Sequence, residues 1–144
     1  MSDTTGHHVV LGAGGGAGNA IAQPLHAAGL PTRAVNRSGA ADLPGGIELL
    51  GADIATPEGA ARAVAGAAVV YMAAQPPYHR WPEEFPAMLR TATDATAATG
   101  AKFVMVDNLY SYGPGAGTIN ENTPRRANDS KGKVRREMIR TLLD

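Results

Sequence analysis

Apolar residues along the chain fall into short runs that alternate with longer stretches of helical spacing. His7–Leu11, Thr32–Asn36, Ile47–Leu50, Ala68–Met72 and Lys102–Val106 are rich in apolar and β-branched residues and predict five strands. Asn19–Ala28, Pro57–Ala65, roughly Glu84–Thr99 and Lys131–Leu143 predict the intervening helices, with Gly29, Gly66 and Gly100 placed as C-terminal stops. The alternation of strand-like with helical runs predicts an α/β fold with helices on both faces of a parallel sheet. Right-handed crossovers then give a doubly wound sheet in the order 3-2-1-4-5.

Phe85, Met88, Leu89, Ala92, Ala95, Thr96 and Thr99 recur at helical spacing and read as a core face. Val134, Met138 and Leu142 form a similar stripe that would dock the last helix on the sheet, leaving strand five as an edge that a partner copy could cover. Pro76, Pro77 and Pro82 interrupt the chain, so Gln75–Trp81 reads as a loop leaving the carboxyl end of strand four, the edge where open α/β folds bind ligands. Asp107–Asp129 is longer than an ordinary connection and points to a functional or mobile loop.

A length of 144 residues suits one domain, residues 1–144, and 44% hydrophobic content argues against disorder. The absence of cysteine excludes disulfides and thiolate metal sites, and no metal-ligand cluster stands out. No apolar stretch is long enough to span a bilayer, and the polar Met1–Gly6 lacks the regions of a signal peptide, so the expectation is a cytoplasmic protein without a membrane partner. Net charge is zero, yet Arg125, Arg126, Lys131, Lys133, Arg135, Arg136 and Arg140 crowd the last twenty residues. A solvated helix face and a phosphate site both fit that cluster. A nucleic-acid surface fits least, because no aromatic residues are interleaved.

The chemistry centres on Val9-Val10-Leu11-Gly12-Ala13-Gly14-Gly15-Gly16-Ala17-Gly18, an apolar strand that breaks into glycines and reopens as a helix. Gly12, Gly15 and Gly18 have the spacing of a dinucleotide phosphate turn, which needs a conformation closed to side chains, close backbone approach to a pyrophosphate, and tight packing of helix on strand. The alternative is an ordinary strand-to-helix turn in which the glycines only permit packing. Strand two ends Asn36-Arg37-Ser38, where an NAD site usually carries an acidic residue for the ribose 2′-hydroxyl. With Arg37 available to pair with a 2′-phosphate, NADP is favoured over NAD, and Arg33 is a second basic candidate unless it points to solvent. Asp53 closes strand three and suits the adenine amino group or a helix cap; Thr56, before Pro57, is the better cap.

Taken in order, these motifs resemble the extended short-chain dehydrogenase/reductase superfamily, in particular the NAD-dependent epimerase/dehydratase family and its atypical members. The likeness runs through the Gly12/Gly15/Gly18 turn, Arg37, Gly51-Ala52-Asp53, Tyr71-Met72-Ala73-Ala74, and Phe103-Val104-Met105-Val106 leading to Tyr112-Gly113-Pro114. It implies a Rossmann-type cofactor domain in which Gly12, Gly14, Gly15, Gly16, Ala17, Gly18, Asn36, Arg37, Asp53, Ala73 and Ala74 contact NADP or NAD. The implied substrate is a small-molecule carbonyl compound or a sugar nucleotide. The family's serine past strand five falls at Asn108, and its Tyr-x-x-x-Lys pair falls at Asp129 and Lys133, or at Ala127 and Lys131. Neither register supplies the phenol. Tyr110 and Tyr112 lie near Asn108 as substitutes, aromatic packing being the commoner use for at least one of them, and His79 lies in the loop after strand four. Ser111 has no base partner in sequence, which argues against a nucleophilic serine.

Asn108, Tyr112 and Lys133 are therefore the catalytic candidates for hydride chemistry of the epimerase/dehydratase or oxidoreductase type. A non-catalytic NADP-binding sensor or interaction module is the alternative that the missing phenol favours. Family members normally continue into a substrate lobe, so the chain is expected to be a fragment or to assemble.

Overall fold

The structure, a computed structural model, describes residues 5–144. Part of the reading of the N-terminus falls on Met1–Thr4 and lies outside the described residues. Five parallel strands, β1 (His7–Leu11), β2 (Thr32–Asn36), β3 (Glu48–Gly51), β4 (Ala67–Met72) and β5 (Lys102–Met105), form a single sheet in the order β3-β2-β1-β4-β5. The helices are α1 (Gly16–Ala27), α2 (Pro57–Val64), α3 (Trp81–Thr99) and α4 (Ser130–Leu143), with a 3-10 turn at Tyr78–Arg80. Fold class and strand order agree with expectation.

Departures from the predicted boundaries have local causes. Helix α1 begins three residues before the expected Asn19, since Gly16 and Gly18 in its first turn have poor helix propensity and mask the start. Helix α3 begins at Trp81 rather than Glu84. Pro82 does not break it, because it occupies the first turn, where a missing N–H costs no intrahelical bond. Part of the expected loop Gln75–Trp81 is accordingly the 3-10 turn and the helix start. Strand β3 is shifted by one residue, leaving Ile47 to pack into the core. Gly29, Gly66 and Gly100 all adopt positive φ (77°, 71° and 75°), the conformation their role as helix stops requires. Thr56 caps α2, its hydroxyl oxygen accepting the Gly59 N–H at 3.0 Å with Pro57 at the first helical position.

The chain divides into two compact units. The first comprises residues up to Gln75 together with Thr91–Val106; the second comprises Pro76–Arg90 and Asp107–Asp144. In the first, Val10, Ala13, Ala22, Ala34 and Ile47 form a buried cluster that brings α1 onto one face of the sheet. Side chains alternate along a strand, so Val9 and its register partner Arg33 point to the opposite face. There the Arg33 guanidinium donates to Glu48 Oε2 (2.8 Å) and to the carbonyls of Ala63 (3.0 Å) and Ala65 (2.7 Å) at the end of α2. Arg33 is 9% exposed and serves the sheet–helix junction, not solvent and not a cofactor. Two helices on two faces make the sheet doubly wound.

Along α3, Phe85, Met88, Leu89, Ala92 and Thr96 are buried, as the stripe predicts, whereas Ala95 is half-buried and Thr99 is exposed. The Thr99 hydroxyl instead donates to the Thr96 carbonyl in the last turn. Val134 and Met138 of α4 are buried and Leu142 half-buried. Among the described residues β5 pairs with β4 alone, and Val104 on it is exposed. No helix of the described chain is long and apolar enough to cross a membrane.

Candidate functional site

The turn between β1 and α1 is fixed from within. Gly12 N–H and Ala13 N–H donate to the Val35 carbonyl (2.9 and 3.2 Å), Gly15 N–H to the Gly12 carbonyl (3.2 Å), and Ala73 N–H to the Leu11 carbonyl (2.9 Å). Gly12 has φ +91°, and a Cβ there would stand 2.5 Å from the Ala74 backbone nitrogen; a Cβ on Gly18 would stand 2.3 Å from the Gly12 carbonyl oxygen. These two glycines are required by the protein's own packing.

Gly15 and Gly16 are different. A Cβ on Gly15 would meet only the Gly12 oxygen at 3.6 Å, a Cβ on Gly16 would meet nothing within 4 Å, and both residues are exposed, as are Gly14 and Ala17. Packing explains Gly12 and Gly18, and a Cβ on Gly14 would press on the Asn36 amide at 3.3 Å, but Gly15 and Gly16 leave a bare backbone surface that the protein itself has no need to keep small. The first main-chain bond of α1 runs from Asn19 N–H to the Gly15 carbonyl. Among the described residues no side chain caps the helix and no acidic residue stands in its first turn, so the N–H groups of Gly16, Ala17 and Gly18 form the positive end of the helix. Such an end favours an anion, and the residues fit the phosphates of a dinucleotide.

At the end of β2, Asn36 is committed to its own loop. Its amide nitrogen donates to the Ala40 carbonyl (2.7 Å), and its amide oxygen accepts the Gly39 N–H (2.7 Å) and the Ser38 hydroxyl (3.3 Å). Arg37 is exposed, and its side chain makes no ion pair or hydrogen bond to a described residue. Asp53 accepts the Ala55 N–H on one carboxylate oxygen (3.0 Å), while Thr56 rather than Asp53 caps α2. Ala73 and Ala74 are half-buried beside Gly12.

In the second unit, Tyr78, Leu109, Tyr110, Pro114, Asp129 and Lys131 surround a cavity of about 280 Å³. Its walls are set from behind by Trp81, 3% exposed, whose ring lies edge-on to Tyr78 at 5.1 Å and tilted against Tyr110 at 5.9 Å, and whose indole N–H donates to the Pro76 carbonyl (3.2 Å). Tyr110 is held by its backbone: Asn108 Oδ1 accepts its N–H at 3.0 Å, and Gly132 of α4 lies so close that a Cβ would stand 2.7 Å from the Tyr110 carbonyl. The Tyr78 hydroxyl is hydrogen-bonded to Tyr110, which together with desolvation and the neighbouring charge of Asp129 raises its pKa above the ordinary phenol value. Asp129 caps α4, accepting the Gly132 N–H at 3.0 Å. Lys131 Nζ donates to the Tyr78 carbonyl and lies 4.4 Å from the centre of the Tyr78 ring.

The structure does not gather Asn108, Tyr112 and Lys133 on this cavity. Asn108 supports Tyr110, Tyr112 lies under the Arg125 guanidinium at 5.2 Å, and Lys133 is exposed on α4. Of the two lysine registers, the one with Lys131 reaches the cavity. Sequence reasoning misses Tyr78 altogether, and only its place in the loop after β4 points toward it. His79 is exposed and Ser111 is buried with its hydroxyl unpartnered. The basic cluster is not one surface: Arg135 is buried between Trp81 and Phe85, 4.6 Å from each ring, with Asp107 at 3.7 Å, and Arg136 donates to the Ala127 carbonyl (2.9 Å). Burial lowers the Arg135 pKa, and the Asp107 carboxylate opposes that shift.

A doubly wound sheet whose first strand opens through glycines onto an uncapped helix is a Rossmann-type nucleotide-cofactor domain. The chain belongs to the family described as NAD(P)H-binding, whose model matches residues 12–144. Among solved structures it is similar to a UDP-glucose 4-epimerase (TM-score 0.82, 13% identity, 95% of this chain and 46% of that one). It is also similar to MoeE5 in complex with UDP-glucose and NAD (0.81, 21%, 96% and 48%). A third is a short-chain dehydrogenase/reductase superfamily protein from Agrobacterium tumefaciens with bound NAD (0.76, 21%, 94% and 44%). The chain thus spans about half the length of each. No curated protein matches its sequence.

Proposed function

We propose that this chain is the cofactor-binding part of an NADP-preferring enzyme of the reductase or epimerase/dehydratase type. A nicotinamide cofactor, when bound, gives hydride to a carbonyl carbon or takes it from an alcohol carbon. The observation that carries the reading is the bare surface of Gly15 and Gly16 at the uncapped start of α1, which serves no packing need of the protein. Arg37 supports the NADP preference: it is free at the end of β2, beside an Asn36 whose polar atoms are already bonded, and no carboxylate of that strand end repels a 2′-phosphate. Asp53, with one carboxylate oxygen left over, is assigned to the adenine amino group. Relatives whose structures hold NAD support the cofactor class.

Among the residues of the second unit, we assign Lys133 to the nicotinamide ribose and Asn108 to orienting the substrate oxygen through its amide nitrogen, with Tyr112 as a phenol to test beside them. Titration with NADPH and with NADH, followed by nicotinamide fluorescence, tests the cofactor half. NADPH is expected to bind about tenfold or more tighter, and Arg37→Ala to remove that margin. Equal affinities would defeat the preference, and no binding of either would defeat the reading.

A second reading, a non-catalytic NADP-binding module, is favoured by one observation: Asp129, at the place of the family's tyrosine, is occupied as the cap of α4. Tight NADPH binding with no oxidation by any carbonyl compound would select it. Turnover that Asn108→Ala lowers, with cofactor affinity intact, would select the first.

A further inference from the structure

The cavity of the second unit has walls unlike those a sugar nucleotide needs. Tyr78, Tyr110 and Leu109 are 55%, 44% and 64% exposed, which gathers three of the largest exposed apolar side chains around one hollow. Such a cluster at a cavity mouth marks a binding surface more often than chance exposure does. The cavity lining holds one charge of each sign, and each has a neutral partner. Lys131 is held by the Tyr78 carbonyl and by the face of the Tyr78 ring, and Asp129 by the start of α4. With one carboxylate and one ammonium the lining carries no net charge, a poor match for a diphosphate.

An uncharged polar group stands among these walls: Tyr110, its backbone fixed by Asn108, lines the cavity, and a phenol hydroxyl donates to an acceptor. We propose that this cavity binds a flat, uncharged aromatic compound bearing a hydrogen-bond acceptor such as a ketone oxygen, the ring lying against Tyr78, Leu109 and Pro114 and the acceptor meeting the Tyr110 hydroxyl. This site goes beyond the reading above, whose substrate oxygen is assigned to Asn108, and does not rest on it. Binding itself is independent of the cofactor.

Trp81, the single tryptophan of the chain, packs on both tyrosines and reports occupancy. The test titrates the whole protein, without cofactor, with 2-acetonaphthone, with 2-ethylnaphthalene, which has the same rings but no acceptor, and with UDP-glucose. Calorimetry runs beside Trp81 emission. Saturable binding of the ketone is expected, about tenfold tighter than the hydrocarbon, with the difference abolished in Tyr110→Phe, which keeps the ring and hence the packing. Tyr78→Ala should weaken both aromatic ligands.

UDP-glucose binding tighter than the ketone, equal affinity for ketone and hydrocarbon, no saturable ketone binding, or an undiminished margin in Tyr110→Phe would each overturn the proposal. An unaltered circular dichroism spectrum of each variant ties any loss to the cavity. Failure of NADPH to bind in the separate cofactor titration would overturn the proposed function and leave the binding of this ligand standing.

Discussion

The turn after β1 and the cavity beside α4 build the surfaces they present by opposite means. The turn presents main chain: four exposed residues whose useful groups are N–H dipoles, at one continuous stretch of sequence. The cavity presents side chains, with residues from the 3-10 turn, the long loop after β5 and the first turn of α4 meeting across 53 positions of sequence. A main-chain surface is specified by what is absent, a side chain, and its tolerance to substitution depends on whether the protein or a ligand occupies the adjoining space. A side-chain surface is specified by what is present and by what fixes its rotamers.

The sharpest way to break this comparison is inside the turn itself. Gly18→Ala places a Cβ against a main-chain oxygen that cannot swing away, and is expected to lower stability by about 3 kcal/mol, read as a shift of the urea midpoint. Gly16→Ala, with open space around it, should leave stability unchanged or raise it by ~0.5–1 kcal/mol while weakening NADPH. If Gly16→Ala binds NADPH like the parent, the bare surface holds no ligand; if Gly18→Ala is as stable as the parent, the turn yields to a methyl group and its glycines are not required by packing.

Next in size, Arg33→Met removes the donor of two carbonyls and of Glu48 at the junction of β2, β3 and α2. A loss of about 2 kcal/mol in equilibrium unfolding is expected, with NADPH affinity intact, and an altered NADP/NAD ratio would return Arg33 to the cofactor site. Smallest is Asp129→Ala, which deletes the cap of α4 and should cost ~1 kcal/mol. Thermal denaturation followed at Trp81 would show it. No change would mean that the start of α4 is held by Gly132 and Tyr110 alone.

The fold is legible in the sequence because each strand and helix carries its own local signal. β1 and β2 begin and end where the apolar runs do, and the glycines at 29, 66 and 100 mark helix ends by a conformation other residues avoid. Signals fail where one requirement hides another, as when the glycines needed for the turn disguise the start of α1 and Pro82 looks like a break although it sits in a permissive first turn. The glycine turn after β1 is legible for the same local reason as the strands. The cavity is not: Tyr78 and Lys131 acquire their roles from a contact between segments 53 residues apart, and no periodicity or spacing encodes such a pairing. Arg33 misleads in the other direction, since a basic residue in a short strand reads as exposed unless one knows that α2 ends over it.

Strand β5 has one row of main-chain groups engaged by β4, and Val104 stands exposed on it. A row of this kind adds any strand that reaches it, so the behaviour of the purified protein should depend on how crowded its solution is. A lysine at position 104 would repel its own copy from an approaching molecule, and would be the first change to make before concentrating the protein for crystals.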